Sequence, residues 1–192
     1  GRTVQTTPAI ALTLRYPLHS TSADGSRYLA EPLAQIGWVG GSPSVLPNDE
    51  NISTDFDEGN LLSLSHFPTK ERRETGVIGA LGASWKRFNP ETWSGGVTVG
   101  QVFRDTMDPA FSASSGLKNQ TSDTLLAVHY TAAWGGFLQA RGLFDPSFEP
   151  VKAEARVGYA RNKLSVSGTY VQLDADESRA ASVAEWSLSG TY

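Results

Sequence analysis

Three histidines, His19, His66 and His129, are the first places to look for metal or acid–base chemistry. They share no i,i+2 or i,i+4 spacing, so each reads as a surface or hydrogen-bonded ring and not as part of a ligand cluster. The chain has no cysteine, which removes thiolate metal sites, cysteine nucleophiles and disulfides. No G-x-S-x-G elbow raises a serine to nucleophile. The acidic run Asp49, Glu50, Asp55, Asp57, Glu58 invites a calcium reading. However, Asp55-Phe56-Asp57-Glu58-Gly59 lacks an oxygen side chain at the fifth position and misplaces the glycine of an EF-hand loop. A solvated acidic loop or a looser cation site is left. Glycines fall in strands and turns, not in a phosphate-cradling loop. The sequence therefore predicts no catalytic residue, no metal site, no cofactor and no enzyme.

Composition narrows the remaining classes. Charged residues make up 19% of 192, below the roughly 25% of soluble domains. The net charge of -4 and a pI near 5.4 disfavour a nucleic-acid partner. An aromatic content of 10% argues against disorder. No run of 18 apolar residues exists for a transmembrane helix, and no apolar h-region follows Gly1. Low charge, surplus glycine and no apolar helix also describe one membrane class, the β-barrel.

The elements that would position any site have a period of two. Ile10, Leu12, Leu14, Tyr16 and Leu18 alternate with Ala11, Thr13 and Arg15. The same rhythm runs through 28–39, 75–86, 95–104, 125–134, 136–144, 151–159, 164–170 and 182–192. This predicts an all-β antiparallel meander of about nine strands, each of about 9–12 residues. Such strands are long for a soluble sandwich and match the ~9–11 residues of a tilted membrane strand. Long connections (40–74 and 105–122) alternate with short ones, the asymmetry of outer-membrane barrels.

Arg15, Glu31, Arg104, Lys152, Glu154 and Arg156 stand on the face opposite the apolar set. That face is a wet barrel lumen on one reading and the solvated side of a soluble sheet on the other. Periodicity alone does not separate the two. Tyr16, Tyr28, Trp38, Trp85, Trp134, Tyr159, Trp186 and Tyr192 lie mostly near strand ends, where an interfacial girdle would need them.

The most distinctive runs are Glu31-Pro32-Leu33-Ala34-Gln35, Leu46-Pro47-Asn48-Asp49-Glu50-Asn51 and Asp55 to Phe67. After these come Arg73-Glu74-Thr75-Gly76, Gly100-Gln101-Val102-Phe103-Arg104, Phe111 to Leu117 and Ser122-Asp123. Taken in this order over positions 8–135, they resemble the β-barrel domain of the lipopolysaccharide-assembly family LptD (OstA, Imp) of proteobacteria. The chain departs from the family pattern at Ala30, at Ser65-His66-Phe67 and at Thr69-Lys70-Glu71-Arg72. It also lacks the family's paired cysteines.

The resemblance implies a part of an outer-membrane translocon that places lipopolysaccharide in the outer leaflet of a Gram-negative cell. It also implies an LptE-like lipoprotein plug, outer-membrane lipid around the barrel, and a periplasmic Lpt bridge docked by an N-terminal domain of the longer family protein. Residues 1–192 are then expected to be one region, a portion of a larger barrel. Arg15, Arg104, Lys152 and Arg156 could meet phosphate or carboxylate oxygens. The simpler expectation pairs them with Glu31, Glu154 or loop acids. Phe56, Leu61, Leu62, Leu64 and Phe67 are too apolar to stay solvated, so the long loop should fold back over the barrel mouth. Asp55, Asp57 and Arg72 or Arg73 would be its polar ties. A passive porin and a soluble all-β carbohydrate-binding module share the same composition.

Overall fold

The computed structural model describes residues 6–41, 56–68, 73–175 and 180–192. It holds ten strands: β1 (Ala9–Arg15), β2 (Leu18–Thr21), β3 (Arg27–Val39), β4 (Gly76–Phe88), β5 (Trp93–Arg104), β6 (Thr124–Ala132), β7 (Gly136–Phe144), β8 (Pro150–Arg161), β9 (Leu164–Leu173) and β10 (Val183–Thr191). All pair antiparallel in one sheet, each with its neighbour in sequence from β3 to β10; β1 and β2 both pair with β3. The sheet is open, with β1 and β10 last in the order. The only helical turn among the described residues is a single 3-10 turn, Ala113–Ser115.

The tenth strand comes from a break that alternation does not reveal. Tyr16 and Pro17 interrupt the first strand, because proline has no N–H to give to the ladder. The Tyr16 N–H still donates to the Pro32 carbonyl at 3.3 Å. A residue's N–H and C=O point to the same side of a strand, so the N–H that Pro32 lacks would have faced this break. The two prolines thus share one gap, and the β3–β4 ladder runs without a register shift from Arg27↔Phe88 to Val39↔Gly76.

Connections differ at the two ends of the sheet. At one end they are 40–75, 105–123, 145–149 and 174–182; at the other, 22–26, 89–92, 133–135 and 162–163. Gly135 (φ 103°) closes a short turn in a conformation that L side chains rarely adopt.

The register sorts the side chains. One rung crosses the sheet as Leu18, Ala30, Trp85, Val97, Val128, Ala140, Ala155, Tyr170 and Trp186. It is apolar throughout. The next rung, one residue along and on the opposite face, reads His19, Leu29, Lys86, Gly96, His129, Gln139, Arg156, Thr169 and Ser187.

Candidate functional site: the inner wall and its roof

The apolar face is the exposed one. Ile10, Leu12, Leu14, Ile36, Trp38, Leu81, Trp85, Val157, Trp186 and Leu188 all present large apolar side chains outward, the reverse of a soluble sheet. Aromatic pairs stack along the short-turn end: Tyr28 with Trp85 at 6.2 Å, Trp93 with Tyr130 at 5.7 Å, and Trp134 with Tyr159 at 6.1 Å between centroids. Trp38 and Phe103 stand at the other end of their strands. Tyr28 and Trp38, at opposite ends of β3, are separated by about 34 Å along the strand, or about 26 Å at a tilt near 40°. That is the height of the apolar band of an outer-membrane barrel.

The inner face has two halves. Near the long loops, Val39, Ile78, Ala80, Val102, Leu125 and Leu143 form a buried floor. Phe56, Leu61 and Phe67 of the long loop and Phe111 and Leu117 of the second loop complete that core, with Leu64 packed against it. Gly82 and Gly100 face each other across β4 and β5, and the Leu61 side chain occupies the space where their Cβ atoms would stand. Leu64 does the same over Gly37. Phe67 stacks on Phe111 with centroids 4.5 Å apart and planes within 6°, which joins the two loops into one roof.

Beneath the roof lies a buried ion cluster. The Glu74 carboxylate receives the His66 backbone N–H at 2.8 Å, and the His66 Nδ1 lies 2.7 Å from the same oxygen. The other oxygen accepts from the Arg104 Nε. Arg104 also donates to the Leu117 carbonyl at 3.1 Å and stacks over Phe111 at 4.9 Å. Burial pushes the Glu74 carboxyl up, but the hydrogen bonding of His66 and the charge of Arg104 outweigh it and hold the pKa below its ordinary value. At the far end of the second loop, burial and the Asp145 charge raise Asp123 to about 6.

The rest of the inner face, across β7 to β9 and toward the short turns, is polar and open. Arg141 donates from Nε to Glu154 at 3.1 Å, and its Nη2 lies 3.0 Å from the same carboxylate oxygen. The Arg141 Nη1 is 3.7 Å from Asp57, and Lys152 is 4.0 Å from Glu154. Arg156 donates to the Ser167 hydroxyl at 3.2 Å. A cleft of about 550 Å³ lies here between Glu58 of the long loop and Thr98, His129, Gln139, Arg156 and Thr169 on the sheet.

The residues singled out in the sequence thus divide by location. Lys152, Glu154 and Arg156 line the polar half of the wall. Arg15 and Glu31 stand on the same face at the β1–β3 edge, opposite Leu33 and Ser84 respectively. Arg104 is buried under the roof. Phe56, Leu61, Leu64 and Phe67 pack into the roof, and Asp57 caps its own turn by accepting the Gly59 and Asn60 N–H groups. Arg73 is exposed; Asp55 and Arg72 lie outside the described residues. The buried tie, His66–Glu74–Arg104, escapes sequence reading because its members are 8 and 30 positions apart and follow no period.

The family model for LPS transport system D, LptD, matches residues 2–192. The chain belongs to the LptD family. The match extends the likeness of 8–135 to the whole series of strands. No curated protein matches the chain. LptD proteins form an outer-membrane family of lipopolysaccharide transport and assembly, not a family of catalysts. The all-β antiparallel sheet, apolar outside and polar within, is the architecture such a family requires.

Proposed function

We propose that this chain is one section of the wall of an LptD translocon barrel that inserts lipopolysaccharide into the outer leaflet of the outer membrane. Residues 1–192 act as a single region of that barrel. The observation that carries the reading is the pair of adjacent rungs, one wholly apolar and outward, the next mostly polar and inward, bounded by aromatic girdles. Aqueous solvent could not keep so much apolar surface exposed on a monomer, which disfavours a soluble carbohydrate-binding module. The apolar roof over the inner face disfavours a passive porin. In this reading the long loops face the cell exterior and the short turns the periplasm.

Lipopolysaccharide is an amphiphile with anionic sugars. A polar wall can guide its head group with no bond made or broken, so Lys152, Glu154 and Arg156 act by hydrogen bonding and charge. An LptE-like lipoprotein inside the barrel and a periplasmic Lpt bridge are the partners that complete the path.

The roof then closes the exterior mouth. Deleting residues 46–72 from the full-length protein should impair assembly or admit large antibiotics that the intact membrane excludes. Growth assays in the presence of a large glycopeptide antibiotic check this; an unchanged permeability barrier would sink the reading of the loop as a closure.

A further inference from the structure

Lys86, Gly96, His129, Gln139, Arg156 and Thr169 form consecutive members of one inward rung across β4 to β9. Neighbouring strands are about 4.8 Å apart, so His129 and Arg156 stand about 10 Å from each other with Gln139 between them. That is the span of two linked sugar rings.

Gly96 lets the flanking side chains close in. A Cβ there would lie 2.7 Å from the His129 Cε1 and 3.0 Å from the Lys86 Cγ, so both groups lean over the same bare stretch of backbone. Arg156 is steered from the opposite side. The Ser167 hydroxyl accepts from its Nε and Nη2 at 3.4 and 3.2 Å, and Phe137 lies under the guanidinium at 5.5 Å. Among the described residues no acceptor meets its Nη1. Ser167 is itself held by Ser189 at 2.9 Å.

The contrast with the next rung is instructive. There Arg141 is engaged by Glu154 and Asp57, which neutralise it. On the Lys86–His129–Arg156 rung no carboxylate stands opposite any of the three in the β-ladder; the carboxylates that line the cleft are Glu58, from the loop, and Glu154, which is bound to Arg141. His129, Gln139 and Arg156 are exposed to the cleft.

We infer that this rung is a binding site for a phosphorylated or carboxylated saccharide, with Arg156 taking the anionic oxygens, His129 the sugar hydroxyls, and Lys86 a second anionic group. The inference rests on the luminal reading above and adds to it a fixed station on the wall. Arg is suited to the anion because its fork donates two parallel bonds, while an imidazole can both donate and accept, as sugar hydroxyls require.

The test uses the full-length protein in detergent with its native partner. A photo-crosslinking amino acid is placed either at Gln139, on the rung, or at Thr98, on the inner face but on the neighbouring rung. The probes are lipopolysaccharide and the same lipopolysaccharide stripped of phosphate. Crosslinking at 139 should fall about tenfold with R156Q/H129Q, the loss of about one charge-assisted contact. It should be restored only in part when position 156 is Lys, which keeps the charge without the fork, and fall likewise with the dephosphorylated probe; the yield at 98 should change little. Heat-modifiable migration on a gel verifies that each variant is folded. Equal yields at 139 for the folded wild type and R156Q/H129Q, or for both probes, would overturn the rung as an anion site while leaving the luminal path standing. No crosslink at either position would overturn the luminal reading and the rung with it.

Discussion

Glu74 is the carboxylate on which the buried ion cluster converges. It is 3% exposed and joins three segments: the long loop through His66, strand β5 through Arg104, and indirectly the second loop through the Leu117 carbonyl. Its pKa lies below the ordinary carboxyl value, so its contribution is present in full above the unfolded-state pKa and is lost as pH falls through the lower folded value. The roof should therefore stay docked from neutral pH through the ordinary carboxyl range and release only as the pH falls through the lower folded value. E74Q should release it at neutral pH, since removing one partner of a buried ion pair costs about 3–5 kcal/mol. Limited proteolysis within 56–68 of the full-length protein reads both effects. A roof equally protected in E74Q and wild type would show that apolar packing alone holds it.

At the scale of elements, loop and sheet are fitted through glycine. A Cβ on residue 100 would lie 2.7 Å from the Leu61 Cδ1 and 3.1 Å from its Cγ. G100A should thus destabilise by about 1–3 kcal/mol through overpacking, and L61A by about 2–5 kcal/mol through the cavity it leaves. The double variant should be destabilised by less than the sum, because the small residues no longer collide. Thermal melts of the folded protein in detergent measure the cycle; simple additivity would mean that Leu61 does not occupy the trough. The strands themselves were legible in the sequence. Alternation places 136–144 on β7 and comes within about two residues at most other boundaries. What alternation could not supply was the meaning of the inner glycines. Gly82 and Gly100 read as weak strand residues until Leu61, from a loop with no periodicity, is seen lying on them. The division of the inner face was hidden for a related reason: Ile78, Val102, Leu125 and Leu143 are apolar residues on the otherwise polar phase of their strands, and only the loop above makes them a core.

For the molecule as a whole, the proposed barrel sets the outward face against hydrocarbon. Trp85 and Trp186 are 41% and 78% exposed on that face. In lipid with brominated acyl chains, single-tryptophan versions of the full-length protein should be quenched at 85 and 186. A tryptophan placed at Thr169 on the inner rung should be spared. Equal quenching at the three positions would reverse the assignment of inside and outside. That assignment was open in the sequence, since apolar–polar alternation is the same for a soluble sheet and for a barrel wall. The exposure of the apolar face favours the barrel wall. The strand break at Tyr16 and Pro17 also bears on the whole sheet. The edge beside β3 is joined by seven residue pairs from β1 and four from β2, with a gap between them. Peeled from its end, such an edge yields as a short zipper and then a longer one, each resisting by itself, so the force needed at any moment is that of one zipper and never of the full eleven-pair seam.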